Sequence, residues 1–333
     1  MTRRTIITGT GHYVPPRIVT NFDLEKLMTT SDEWIQQRSG IKTRHHVDLG
    51  VGSSDLGVEA AARAIESAGI DKAGLDFIIA ATVSPDYLFP GIGVQIGAKL
   101  GLPGIPALDV RDQCSGFLYG LSVADQYIRT GTYKRILLVA SEVQSTNLDF
   151  SDEGRDLAVL FGDGAAAVIC EPYDGDDGRG LLSTHLWADG RFVEELWQPF
   201  PTVKDKHYIH QGLIDNHLAV PHMDGKRVFM NACERMPEAV MTALEANGLT
   251  IGDVSLLIPH QANDRISQMV AKKLQIPLDK VVRNIERFGN TTAASIPIAL
   301  DESVREGRLK PGDILVLTAF GSGFTWASAV IRW

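Results

Sequence analysis

Cysteine is scarce in this chain: three residues in 333, far apart and odd in number. That excludes a disulfide framework and fits a reducing, cytoplasmic setting. Long apolar runs are missing as well. No stretch approaches the roughly 20 residues of a transmembrane helix. The opening "MTRRTIITGTGHYVPP" has basic residues but lacks the apolar core of a signal peptide, so neither membrane nor secretion is expected. Positive charge is in deficit, with 32 Lys and Arg against 41 Asp and Glu and a net charge of −9. Since no Lys/Arg run stands out, nucleic acid is excluded as the main partner, and an acidic partner would need a local basic patch. What is present, 44% hydrophobic and 22% charged with 32 glycines, describes a globular chain with ample core material. Its length suits about two domains.

An internal repeat organises the sequence. "AIESAGIDKAGLDFII" (64–79) aligns with "ALEANGLTIGDVSLLI" (243–258) at a shift of 179. "ADQYIRTG" (124–131) aligns with "LDESVREG" (300–307) at 176, and "RILLVASE" (135–142) with "DILVLTAF" (313–320) at 178. Each half reads helix, strand, strand, helix, strand. "FIIAATV", "RILLVAS", "LLIP" and "DILVLTAF" are short unbroken apolar runs, as expected of strands buried on both faces. Phe117, Leu121, Ala124 and Ile128 fall at helical spacing between them. The acidic, glycine-rich "YDGDDGRG" (173–180) marks the seam, giving halves at 1–175 and 176–333 packed on a layered α/β core.

Cys114, in "DQCSGFLYG", follows a strand-like run and opens a helix. Helix amides and their dipole favour an anion there, so its thiol is expected below the ordinary value and suited to nucleophilic attack. Cys170 and Cys233 read as core residues. A shift of 176 carries Cys114 onto Asn290, in "ERFGNTTAASIPIAL", so both are expected to open the same helix of their halves. His260, in "LLIPHQAND", ends a strand where side chains of an α/β sheet reach a shared crevice. Cysteine, histidine and asparagine could meet there.

"CSGF" opening a helix, "PHQAN", "GNTTAASIP", "AFGSGFTWASAVIRW", "TSDEWIQQRSGIKTRH" and "LFGDGAAAV" together resemble the β-ketoacyl-[acyl carrier protein] synthase III group of the thiolase superfamily. The resemblance spans nearly the whole chain in family order. It implies a five-layered α-β-α-β-α thiolase fold and a homodimer. It also implies acylation by acyl-CoA followed by decarboxylative condensation with malonyl-acyl carrier protein, with acyl-CoA a substrate and neither cofactor nor metal required. The catalytic set falls on Cys114, His260 and Asn290, with His and Asn as donors to an enolate oxygen. The backbone N–H groups of Cys114 and Ser322 would form a second oxyanion hole; the family usually has glycine at Ser322. Trp34, Arg38, Arg155 and Asn263 match positions that bind CoA, and Phe89, from across the dimer, and Phe320 match the acyl pocket.

The residues add detail of their own. Thr30 and Glu33 make a plausible capping box that places Trp34 and Arg38 on one helix face, suited to stacking on adenine. Arg265, Lys272 and Lys273 lie on a helix after His260 and offer a basic patch for an acidic carrier protein, with Asp264 weakening it. "VRDQ" before Cys114 and a long 191–226 segment depart from the family's short-chain pattern and lean toward medium or long acyl chains. They also leave room for an acyltransferase or ketosynthase of secondary metabolism. Cys, His, Asn is also the chain order of papain-like hydrolases, although Leu108 stands where their glutamine would be. His207, His210, His217 and His222 raise a metal-binding alternative. "GTGHYVPP" lacks the third glycine of a dinucleotide loop, and Pro15–Pro16 forbid its helix.

Overall fold

The computed structural model describes residues 3–205 and 207–333. In the first half, β1 (Arg4–Tyr13), β2 (Phe77–Ala81), β3 (Ala107–Val110), β4 (Ile136–Glu142) and β5 (Gly164–Tyr173) form one sheet in the order β1-β5-β4-β2-β3. In the second, β6 (Gly180–Ala188), β7 (Val254–Pro259), β8 (Ile314–Gly321) and β9 (Thr325–Arg332) run β6-β9-β8-β7. Both sheets pair their first strand antiparallel with their last, and both contain a parallel pair, β2 with β4 and β7 with β8. The counterpart of β3 has shrunk to a single parallel bridge between Leu257 and Val281. The shared order is the repeat expressed as topology.

The principal helices are α1 (Asp32–Ser39), α2 (Ser53–Ala68), α3 (Ile92–Lys99), α4 (Gly116–Arg129), α5 (Gly225–Glu245), α6 (Asp264–Leu274) and α7 (Ser295–Arg305). Strand alternation decides the layering. Ile79 and Ala81 of β2 face α4 and α7, while Ile78 and Ala80 face α2 and α3. Leu315 and Leu317 of β8 likewise face the central helices, and Val316 faces α5 and α6. The result is five layers, α-β-α-β-α, with α4 and α7 sandwiched between the sheets. Phe117, Leu121, Ala124 and Ile128 are all buried there, as their spacing predicts. No helix among the described residues is long and apolar enough to cross a membrane.

Two expectations fail locally. The cap of α1 is Ser31, whose side chain accepts from Trp34 N–H at 3.1 Å, and not Thr30, whose hydroxyl is buried without a partner. Starting one residue later puts tryptophan where the capping box needs its acid, and Glu33 accepts instead from Gln37. Nor does Asn290 open a helix. The turns that feed α4 and α7 are Gln113–Ser115 and Thr292–Ala294, with Gln113 and Thr292 at φ of 42° and 50°. On that superposition Cys114 corresponds to Ala293. The repeat drifts by a few residues between segments, and a single shift overran the drift.

Helix α2 lies against β1 with almost no space between backbones. A Cβ on Gly11 would fall 2.4 Å from Ala64 N and 2.7 Å from Ala60 O. Gly11→Ala must therefore separate strand from helix, at a cost of about 1–3 kcal/mol. Calorimetry should show Tm lowered by several degrees; an unchanged Tm would mean the contact has slack.

Candidate active site

A cavity of about 390 Å³ is lined near the surface by Trp34 and Arg38 and at depth by Cys114, His260 and Asn290. The chain builds this convergence from its duplication. Cys114 sits in the turn that becomes α4, and His260 directly follows β7. Asn290 precedes the turn that becomes α7, pinned by backbone bonds from its N–H to Leu160 O (2.8 Å) and from Gly162 N–H to its own carbonyl (3.1 Å). The three side-chain positions are brought together as the sequence predicts, all three nearly buried.

Their polar atoms are oriented, each by one partner. His260 Nδ1 meets the Ser295 hydroxyl at 2.6 Å, while Nε2 is buried with no hydrogen-bond partner among the described residues. Ser295 Oγ also accepts from Gln261 N–H at 3.3 Å. Its proton is then free for Nδ1, which leaves the ring proton on Nε2. Asn290 Oδ1 accepts from Thr292 N–H at 2.9 Å, so its amide NH₂ is the end left over. Two donors without protein acceptors among the described residues thus border one cavity that also holds a thiol.

The thiol does not sit below its ordinary value. Burial, reinforced by the charge of Glu142, pushes Cys114 up to about 12, against a smaller lowering from its own backbone N–H. Desolvation outweighs the stabilisation that the helix terminus offers, contrary to the expectation from its position. Burial also pushes His260 down to about 3, so its imidazole is neutral at any physiological pH. Glu142, which ends β4, was not foreseen. Burial raises it to about 7, despite donors including Ser84 Oγ (2.6 Å) and Val83 N–H (3.2 Å). A charged residue closing an apolar strand run was its one signal.

The end of β8 and the loop after it complete the floor. A Cβ on Gly321 would lie 2.8 Å from Cys114 Cβ and 3.1 Å from its nitrogen, so only glycine lets this backbone approach Cys114 so closely. Ser322 follows, its hydroxyl donating to Leu196 O. Phe320 lines the cavity and packs on Phe324 at 4.8 Å between ring centroids. Phe89 is outside it, 81% exposed.

At the mouth, Trp34 is flanked by two guanidiniums, Arg38 at 4.4 Å and Arg155 at 4.8 Å from the ring centroid. Asn263 caps α6 by accepting from Arg265 N–H (2.9 Å) and ties it to α1 through Arg38 O (2.9 Å). Arg265 stands over Phe229 at 5.5 Å on the same rim. Lys272 and Lys273 are exposed farther along α6. Asp264 pairs with Arg283 at 3.2 Å and so subtracts less from the patch than its sequence position implies. The histidines of 207–222 do not gather. His210 pairs with Asp205 and His217 with Asp149, while His222 bonds the His217 carbonyl.

Comparison with known proteins agrees with this geometry. Residues 108–190 match the family described as 3-Oxoacyl-[acyl-carrier-protein (ACP)] synthase III, and residues 244–333 match its C-terminal counterpart. The chain is 46% identical to beta-ketoacyl-[acyl-carrier-protein] synthase III 1 of Vibrio vulnificus, with 98% of each chain covered. It resembles the crystal structure of 3-oxoacyl-[acyl-carrier-protein] synthase III from Aquifex aeolicus, with a TM-score of 0.89 at 40% identity, covering 99% of this chain and 100% of that one. The priming beta-ketosynthase of a polyketide biosynthetic pathway superimposes with a TM-score of 0.90 at 32% identity, over 99% and 96% of the two chains.

A thiol held near 12 should react slowly and with a steep pH dependence. Alkylation of Cys114 by iodoacetamide, followed by mass spectrometry, should rise about tenfold per unit from pH 7 to 9 as the thiolate fraction grows. Glu142→Gln removes a neighbouring negative charge and should raise the rate at pH 8. A plateau already reached at pH 7 would contradict both statements.

Proposed function

The chain belongs to the 3-oxoacyl-[acyl-carrier-protein] synthase III family and is a condensing acyltransferase of that type, and from that premise we propose that Cys114, His260 and Asn290 divide its two half-reactions. Cys114 Sγ attacks the thioester carbonyl of acyl-CoA, and its proton leaves with the CoA sulfur. Malonyl-acyl carrier protein then loses CO₂ by cleavage of its carboxylate C–C bond, which generates an enolate. The enolate carbon attacks the acyl-cysteine carbonyl, Cys114 departs as thiolate, and one proton taken up from solvent restores the thiol. His260 Nε2–H and the Asn290 amide stabilise the enolate oxygen. The backbone N–H groups of Cys114 and Ser322 stabilise the tetrahedral intermediates.

One observation carries this division: the outward ends of His260 and Asn290 are both donors without protein acceptors, bordering the cavity that contains the thiol. A neutral imidazole that must not surrender its proton suits an oxyanion donor better than a general base. CoA enters as substrate, and no step calls for a metal or prosthetic group. Its adenine is assigned to Trp34 and Arg155, with Arg38 and Asn263 nearby. The carrier protein is assigned to the rim that Arg265, Lys272 and Lys273 make basic. Three unpaired cysteines support a cytoplasmic setting.

A homodimer belongs to the same proposal. Tyr87, Leu88 and Phe89 are 63%, 59% and 81% exposed, on the loop entering α3. That loop adjoins β3, where Asp109 accepts from Ile92 N–H at 2.6 Å, and the outer edge of β3 is unpaired. Phe89 would reach the partner's acyl pocket. The apolar lining from Leu196, Met223, Val228, Phe229 and Phe320 supports medium or long acyl chains over acetyl. The similarity to a polyketide priming ketosynthase keeps a second reading, in which the same chemistry starts a secondary metabolite. Product analysis with malonyl-acyl carrier protein and a range of acyl-CoAs separates the two.

The half-reactions test the roles. Cys114→Ala should abolish labelling by [¹⁴C]acyl-CoA and condensation, while malonyl-thioester decarboxylation can persist. His260→Ala and Asn290→Ala should largely keep acylation and lose decarboxylation by on the order of 10²–10³, non-additively in the double variant. If His260→Ala instead blocked acylation and spared decarboxylation, histidine would be the thiol's base and this division would fall.

A further inference from the structure

The loop that follows Gly321 and begins with Ser322 is stitched to Asp189 and to the start of the long 191–226 segment. Asp189 and Phe324 exchange two backbone hydrogen bonds of 2.8 Å. The rings of Phe192 and Phe324 stack at 5.0 Å, nearly parallel. The Ser322 hydroxyl donates to the carbonyl of Leu196. Leu196 is one wall of the cavity, and the backbone next to Ser322 is in contact with Cys114. A single hydroxyl therefore joins the floor beneath the nucleophile to the wall beside it.

The wall is also tied to α5. Leu196 and Trp197 pair with His222 and Met223 in a two-residue ladder, and Glu195 is held by Asp224 N–H and by Arg227 of α5. Those contacts set the wall against α5, not against the floor beneath Cys114. The Ser322 bond instead refers Leu196 to β8 and β9, which are part of the rigid core.

We infer that Ser322 is a positioning residue that fixes the Leu196 wall and thereby sets which acyl chains Cys114 accepts. The inference rests on the acyl-transfer reading above and adds to it a determinant of chain selectivity. With the hydroxyl in place, the wall stands at one distance from the thiol and chains are sorted by fit. Without it, the distance of Leu196 from the thiol is no longer fixed from the floor, and bulkier or longer chains gain relative to shorter ones.

The test is steady-state condensation with acyl-CoAs from acetyl to dodecanoyl, with KM and kcat resolved for each chain, alongside mass spectrometry of acyl-Cys114. The quantity read is the ratio of kcat/KM between the best and worst chains, not the absolute rate. Ser322→Ala should flatten that ratio by about fivefold or more, through KM, and Ser322→Thr should restore it. Ser322→Gly serves the same purpose should the alanine variant not fold. Leu196→Ala should flatten the ratio as well, and Ser322→Ala added to it should change nothing further. An equal fall for every chain, or an unchanged ratio, would overturn the inference while leaving acylation intact. Should no acyl-CoA modify Cys114 in the unsubstituted protein, the acyl-transfer reading itself fails.

Discussion

Two helices that start from equivalent turns pack back to back between the sheets, and the site follows from where they start. Because α4 and α7 occupy one central layer, the ends of β7 and β8 and the turns at Gln113 and Thr292 are drawn to a common point. Both turns hold a non-glycine residue in the left-handed region, a conformation that costs of order 1–3 kcal/mol and survives only where the surroundings enforce it. Here the surroundings are the two sheets. Cys114 uses its turn to present sulfur, whereas the matching turn presents no nucleophile and serves to hold Asn290 just upstream.

Dryness is the second consequence. A thiol, an imidazole, an amide and a carboxyl are all buried here, and the three titratable groups respond as desolvation requires. The thiol and Glu142 move up, and His260 moves down. The site is therefore uncharged around its thiol and imidazole apart from Glu142 above neutrality. Such a site favours interactions with charge that develops during reaction, since an oxyanion finds donors already oriented by Ser295 and Thr292 and little competing water.

The architecture, and the meeting of Cys114, His260 and Asn290 at one cavity, were largely legible in the sequence. Unbroken apolar runs show strands buried on both faces, and the repeated order shows that two such units exist. Cys114, His260 and Asn290 stand out because each lies at the end of a periodic segment, where side chains leave the core. What escaped was decided by contacts across the chain. The exact pairing of Cys114 depends on a drift that only superposed turns reveal. The cap of α1 turns on one residue, Ser31 against Thr30. The thiol's direction of shift depends on burial and on Glu142, which is 28 positions away in sequence. The Ser322–Leu196 bond spans 126 positions and has no local pattern at all.

The central claim is that His260 acts as a neutral donor through Nε2–H. Its most direct test is ¹⁵N NMR of the histidine ring nitrogens, with the His260 signals identified by their loss in His260→Gln. The account predicts a neutral ring protonated at Nε2 from pH 5 to 8, with no titration in that range. An imidazolium appearing between pH 6 and 7, or a proton residing on Nδ1, would contradict it.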